Sequence, residues 1–270
     1  MQLGPNQNAP IEESMFRHMV LNSLRSYKVM FSEQYGEMVI ACDNKNYWRK
    51  KIFPYYKAAR KKAQEKSPID WKRVYEYLDR MKLELEVYFP YRVIEVESAE
   101  ADDIIATLCL NHLYDKPILI VSADKDFIQL QRFDNVKQYD PIRKKYIYGA
   151  FPRQYLFEHI IRGDSGDGIP NILSADNCLV IGERQRPITK KRIAEVLNGP
   201  VEGSVDHLPE NIRVNYLRNR QLIDLTMIPE EIRVKIIERY IQQSGKKRDK
   251  LMNYFISHKL KNLFEHISEF

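Results

Sequence analysis

The chain has 270 residues, with 43 Lys or Arg against 37 Asp or Glu, and a formal net charge of +6. Its 44% hydrophobic and 11% aromatic content supports a core of one large or two smaller domains and excludes wholesale disorder. No apolar run reaches about 18 residues, the start is polar without a signal-peptide core, and Cys42, Cys109 and Cys178 are far apart, so a membrane span, a secretory leader, a disulfide framework and a zinc knuckle are not expected.

Taken in chain order, Met15, Phe16, Met19, Val20, Leu24 and Tyr27 recur at helical spacing and predict a helix over 11–31. Residues 38–42 form a short apolar run that stops at Asp43, as a buried parallel strand would. Residues 44–66 follow with nine Lys or Arg (Lys45, Arg49, Lys50, Lys51, Lys57, Arg60, Lys61, Lys62, Lys66) and one acid, Glu65. That segment is +8, so the rest of the chain is −2 and the basicity is local. Ser67 and Pro68 predict the cap and first position of a helix running to about Tyr88. Strands are expected over 92–96 and 117–121, with a helix between them reaching about Leu113. This β-α-β alternation implies a mostly parallel sheet covered by helices. Beyond about residue 150, helices are expected over 155–161, 189–197, 212–225 and 230–242, with an amphipathic tail over 251–270.

Acids gather after each predicted strand: Asp43 after the first, Glu100, Asp102 and Asp103 after the second, Asp124 and Asp126 after the third. Asp164 and Asp167 lie in a Gly-rich turn, Gly163-Asp-Ser-Gly-Asp-Gly168. Sites in open α/β sheets form beyond the carboxyl ends of the strands, so these acids predict one negative pocket. Like charges held close repel, and divalent ions remove the conflict; Mg²⁺ suits a loose ring of carboxylates better than it suits His or Cys. A pair of such ions activates water and stabilises the leaving oxygen of a phosphodiester. Asp124 and Asp126 are expected to point the same way along an extended segment, and Glu100 and Asp102 to converge only if Glu100 lies at or before the first helical turn. The basic segment interleaves its cations with Tyr47, Trp48, Phe53, Tyr55 and Tyr56, a composition suited to stacked bases and paired phosphates. Its bland alternative is a solvated helix packed through its aromatics.

The stretches Glu100-Ala-Asp-Asp103, Ser122-Ala-Asp-Lys-Asp-Phe127 and Gly163-Asp-Ser-Gly-Asp-Gly-Ile-Pro170 resemble successive motifs of the structure-specific 5′-nucleases, which include flap endonucleases and the 5′-nuclease domains of bacterial DNA polymerases. Arg17-His-Met-Val-Leu-Asn-Ser23, Tyr47-Trp-Arg-Lys50, Asn135-Val-Lys-Gln138, Gly182-Glu-Arg184 and Ile267-Ser-Glu-Phe270 resemble the RNase H group of T4-like bacteriophages more closely. The resemblance implies a PIN-like α/β nuclease core over 1–150 with a basic arch at 44–66. A helical region would follow over 151–270, with a helix–hairpin–helix-type duplex-binding element at about 160–197. It implies Mg²⁺-dependent 5′→3′ exonuclease and flap endonuclease activity on RNA primers in RNA–DNA hybrids and on 5′-flap or forked DNA, with two Mg²⁺ ions and Mn²⁺ as a substitute. It further implies a monomer in the host-cell cytoplasm that meets the phage single-stranded-DNA-binding protein through its C-terminal helices.

By motif, Asp43, Asp102 and Asp124 would serve the first metal with Glu100 nearby, and Asp126, Asp164 and Asp167 the second, with Asp103 in the same acidic set. Arg49 and Lys57 would approach the scissile phosphate, and Lys45, Trp48, Tyr56, Arg60 and Lys61 would hold nucleic acid. Lys190, Lys191 and Arg192 would touch duplex phosphates. Two departures stand out. The run 171–186 replaces the family's compact Gly-rich hairpin, which puts a bound K⁺ there in doubt. The chain also has no Asp before Asp43, where the family places a first catalytic Asp at the end of a buried strand. The expectation is a catalytically impaired form, or a flap-binding module, relative to one that carries that strand.

Overall fold

The computed structural model describes residues 12–112, 116–197 and 205–270, with the side chains of 61–63 and 197 outside that description. Helix α1 (Glu13–Tyr35) buries Phe16 and Leu21 and outruns its predicted end by one turn. It stops at Gly36, whose φ of +76° suits glycine and whose N–H reaches the Ser32 carbonyl at 2.8 Å. Strand β1 (Val39–Ala41) pairs in parallel with β2 (Arg92–Ile94), Val39 opposite Arg92. Between them lie α2 (Trp48–Ile52), α3 (Ala58–Glu65) and α4 (Trp71–Tyr88). The cap of α4 is Asp70 rather than Ser67: the Asp70 carboxylate accepts from the Arg73 N–H at 3.1 Å, while the Ser67 hydroxyl oxygen accepts from Ile69 in the preceding turn.

After α5 (Ala101–Asn111), strand β3 (Ile118–Val121) leads into a 3-10 helix over Lys125–Arg132 and then to β4 (Val136–Asp140) and β5 (Lys145–Ile147). The predicted end of α5 at Leu113 lies outside the described residues. Strand β3 is parallel to β4, and β5 returns antiparallel along β4, a pairing not anticipated from the sequence. The hydrogen-bonded strands therefore form two groups among the described residues, β1-β2 and β3-β4-β5.

The rest is helical: α6 (Pro152–Arg162), α7 (Cys178–Ile181), α8 (Lys190–Leu197), α9 (Glu210–Ile223), α10 (Glu230–Gln242), α11 (Leu251–Ser257) and α12 (Lys261–Phe264). Packing joins the helical region to the first 150 residues. Ile232 and Ile236 of α10 join Ile94, Ile104 and Phe127 in one core, and Tyr254 and Phe255 of α11 join Phe16, Leu85 and Phe89 in a second. A third core sets Phe53 and Tyr56 of the basic segment against Leu156, Ile160, Ile193 and Tyr216. The segment is thus anchored on the helical region at its base. Among the described residues, no helix is long and apolar enough to cross a membrane.

Phe270 is fully buried, with its ring centroid 5.2 Å from Phe255 and 5.8 Å from Phe89, and Lys28 donates to its carbonyl. Phe270→Ala is expected to cost about 3–5 kcal/mol, the usual range for emptying a core phenylalanine site. A urea midpoint within error of the parent would contradict that assignment.

Candidate active site

The acidic stretches are assembled by local structure. Glu100 sits at the N-cap of α5 in extended backbone, and Asp103 reaches back to accept from its N–H at 2.9 Å. Asp43, just past β1, accepts from the Ala101 N–H at 2.7 Å, which holds it at the start of the same helix, one residue from Asp102. Asp124 and Asp126 do not lie on an extended segment as expected. Asp124 caps the 3-10 helix, accepting from the Asp126 N–H at 2.9 Å, and Asp126 is in its first turn. In the Gly-rich turn, Asp164 Oδ1 accepts from Gly166 and Asp167 at 2.8 and 3.2 Å. Gly163 and Gly168 both have positive φ there, and a Cβ would meet the Ile169 carbonyl at 2.4 Å or the Tyr55 carbonyl at 2.8 Å. The turn is thereby pressed onto the basic segment, where Lys57 N–H donates to the Asp167 carbonyl at 2.7 Å.

These acids divide into two groups. The first is paired and buried. Arg49, 2% exposed, contacts Glu100 Oε2 and Asp103 Oδ1, each at 2.8 Å, and donates to the Leu222 carbonyl at 2.8 Å. Trp48 Nε1 donates to Asp103 at 3.0 Å. Tyr56 hydroxyl lies 3.0 Å from both Glu100 Oε2 and Asp167 Oδ2. Lys57 contacts Glu100 and lies 3.5 Å from Asp167, and Arg60 pairs with Asp167. Burial raises the Glu100 carboxyl, but Arg49 and Lys57 outweigh it and hold it below the usual range. Trp48, Arg49 and Tyr56, expected to meet nucleic acid, are buried in this frame. Glu100, Asp103 and Asp167 spend their charge on these protein cations.

Among the described residues, the second group has no Lys or Arg ion pair, and only His159 faces Asp126 and Asp164. Burial, then the nearby Asp124 carboxylate, pushes Asp102 up to about 7. Burial likewise pushes Asp126 up to about 7, with His159 opposing and Asp124 and Asp164 adding to the rise. Asp124, Asp126 and Asp164 line an open cleft of about 650 Å³ together with Ser122, Lys125, Tyr155 and His159. His159 was not singled out from the sequence. Its Nδ1 lies 3.4 Å from Asp126 and its Nε2 3.7 Å from Asp164. Its one legible signal is position, four residues before the Gly-rich turn on the helix that delivers it.

Carboxylate oxygens at Asp102, Asp124, Asp126 and Asp164, two of them on groups raised to about 7, are a donor set that fits divalent ions. Because folding raises the Asp102 and Asp126 pKa values, these groups favour the metal-free fold at low pH, and that contribution is lost as pH rises through about 7. Metal entry must displace their protons. Calorimetry in buffers of differing ionisation enthalpy is expected to show proton release that is larger at pH 6 than at pH 8, with apparent affinity rising between them. Buffer-independent heats would contradict this.

The remaining predicted contacts are peripheral. Lys45 is exposed and 3.4 Å from Asp79. Lys190 and Lys191 are exposed on the first turn of α8, and Arg192 pairs with Glu195 at 3.0 Å. The Lys61 side chain lies outside the described residues.

Residues 10–158 match the 5′-3′ exonuclease N-terminal resolvase-like domain, and residues 152–270 match the C-terminal domain of T4 RNase H. The chain is 34% identical to Ribonuclease H of Enterobacteria phage T4 over 269 residues, covering 96% of this chain and 88% of that one. The chain belongs to the 5′-3′ exonuclease family. It is also 31% identical to flap endonuclease Xni of Shewanella sp. (strain MR-4) over 134 residues, which is 46% of this chain and 48% of that protein. Two bacteriophage T5 structures share the family fold. The zinc-bound 5′-exonuclease matches at TM-score 0.58 and 19% identity over 88% of this chain and 92% of its own. The flap endonuclease pseudo-enzyme-product complex with DNA and metal ions matches at 0.60 and 18% over 89% and 94%.

Proposed function

We propose that this chain is a Mg²⁺-dependent 5′→3′ exonuclease and flap endonuclease that removes RNA primers from RNA–DNA hybrids, and adjacent DNA, from lagging-strand fragments in phage replication. The observation that carries this reading is the cleft lined by Asp124, Asp126 and Asp164, with Asp102 near enough for Asp124 and Asp126 to oppose its ionisation. Asp43, Asp102, Asp124 and Asp126 would hold two Mg²⁺ ions, with Mn²⁺ as a substitute. Such ions supply an acidified water and a stabilised leaving oxygen. The chain's own residues do the rest. Asp102 and Asp126 release their protons on loading. Lys57 and Arg60 lie on the Asp167 edge of the cleft, where a phosphate can replace a carboxylate as their partner. Lys190 and Lys191, at a helix N-terminus, take duplex phosphates. The protein works as a monomer in the host cytoplasm. The exposed Val234, Ile241 and Met252 of α10 and α11 offer an apolar surface to the phage single-stranded-DNA-binding protein.

Asp126→Asn is expected to cut cleavage of a 5′-labelled flap at least tenfold, the size of effect given by a disturbed metal ligand, while flap binding in Ca²⁺ survives. Unchanged cleavage would remove Asp126 from the site. A second reading, flap binding without cleavage, is favoured by the division of the described strands into two hydrogen-bonded groups. Retained binding with no product in Mg²⁺ or Mn²⁺ would select it.

A further inference from the structure

We propose that Tyr148, Phe151 and Tyr155 form an aromatic track on which the bases of a single-stranded segment of nucleic acid stack as it approaches the cleft, an inference that rests on the reading that the cleft acts on nucleic acid. Composition predicts such stacking for residues 44–66, yet Trp48 and Tyr56 are buried there. A second segment has the same composition and keeps rings outside. Residues 141–157 carry Arg143, Lys144, Lys145 and Arg153 and no acid, a charge of +4, interleaved with Tyr146, Tyr148, Phe151, Tyr155 and Phe157.

Tyr148 is 80% exposed and Phe151 72%. Lys144, Lys145 and Arg153 beside them are exposed too, as is Arg143, which lies 3.8 Å from Asp140. Exposed rings among cations fit a polyanion that also offers flat apolar faces. Unpaired nucleic acid is such a partner, whereas in a duplex each base face is taken by its neighbour. The loop that carries the rings is fixed on the acidic site. Gly149, between Tyr148 and Phe151, donates its N–H to Gln131 Oε1 at 2.8 Å, and a Cβ there would meet Ile128 at 2.6 Å. Ile128 and Gln131 belong to the 3-10 helix whose first turn carries Asp126. Rings held this way are ordered before a base arrives, which lowers the entropy cost of binding. Tyr155, one turn along α6, donates its N–H to the Phe151 carbonyl at 2.9 Å. It lines the cleft with Lys125, and its ring centroid is 5.8 Å from that of His159. The aromatics therefore run from an exposed basic loop, along one helix, to the acids.

Fluorescence anisotropy of the full chain in Ca²⁺ tests this, using a labelled duplex with a single-stranded tail at its 5′ or its 3′ end, and the same duplex blunt. Replacing both Tyr148→Ala and Phe151→Ala is expected to weaken binding of a tailed duplex at least about fivefold, the lower end for losing one base–aromatic stack, and to leave blunt-duplex binding within about twofold. Tyr148→Phe keeps the ring and should match the parent on every substrate. A bromodeoxyuridine in the tail should photocrosslink to Tyr148, Phe151 or Tyr155. A circular dichroism melt matching the parent establishes that the double variant is folded. Unchanged binding of both tailed forms, or equal weakening of tailed and blunt forms, overturns the proposal, and cleavage in Mg²⁺ by the same preparation leaves the reading of the cleft standing. A parent chain that neither binds nor cleaves any of these substrates overturns both.

Discussion

Asp102→Asn is expected to slow metal-dependent cleavage about 10²- to 10³-fold, the loss seen when one preorganised electrostatic group is removed from a reacting centre. The substitution keeps the shape of the side chain and removes only its charge. Among the described residues, Asp102 differs from Glu100 and Asp103 in having no ion-pair partner. Its neighbours Asp124, Glu100 and Asp126 all oppose its ionisation, and Lys57 alone among the main influences supports it. The fold has no use for that charge. Since the carboxyl is raised to about 7 in the folded chain, it favours folding below the ordinary carboxylate range and loses that contribution as pH climbs through neutrality. The Asn variant should therefore melt at or above the parent temperature at pH 8 without metal, and its activity should fall while its stability does not. Parallel losses of both would assign Asp102 to the frame.

Arg49→Ala is expected to do the reverse, lowering stability by about 3–5 kcal/mol because it strands buried charges. Arg49 closes a knot among three elements: Glu100 and Asp103 at the start of α5, and the Leu222 carbonyl near the end of α9. Its guanidinium fork serves all three at once, so Arg49→Lys should recover only part of the loss. Urea denaturation followed by circular dichroism measures it, and a change below about 1 kcal/mol would show the pairs contribute no more than surface ones do.

The contrast between Asp102 and Arg49 marks what could be read from residues alone. Apolar runs ending in acids are local patterns, so β1, β2, β3 and the carboxylates that follow them were legible. The Gly-rich turn was legible as well, since Gly163 and Gly168 occupy backbone conformations that the motif requires. Which charges are already satisfied is not a local property. Residues 44–66 show nine cations in sequence, yet Arg49 is consumed by Glu100 and Asp103 from a helix about fifty residues away. Trp48 and Tyr56 look like stacking platforms in composition and are core residues in three dimensions. The short β4–β5 pair was missed because Val136-Lys-Gln-Tyr-Asp140 alternates too briefly to signal a strand. The packing of α10 and α11 onto the first half of the chain depends on contacts more than 100 residues apart, such as Arg239 with Glu86. His159 is one histidine on an amphipathic helix, and only the fold brings Asp126 and Asp164 to its two nitrogens.

Phosphodiester cleavage at this cleft is tested most directly by incubating the chain with a 5′-labelled flap over an RNA–DNA or DNA duplex while Mg²⁺ is raised from zero. Short 5′ products that appear with Mg²⁺, vanish with EDTA and are nearly absent for Asp102→Asn are the predicted result. Substrate that is bound yet intact at saturating Mg²⁺ and Mn²⁺, or cleavage indifferent to Asp102→Asn, would contradict it.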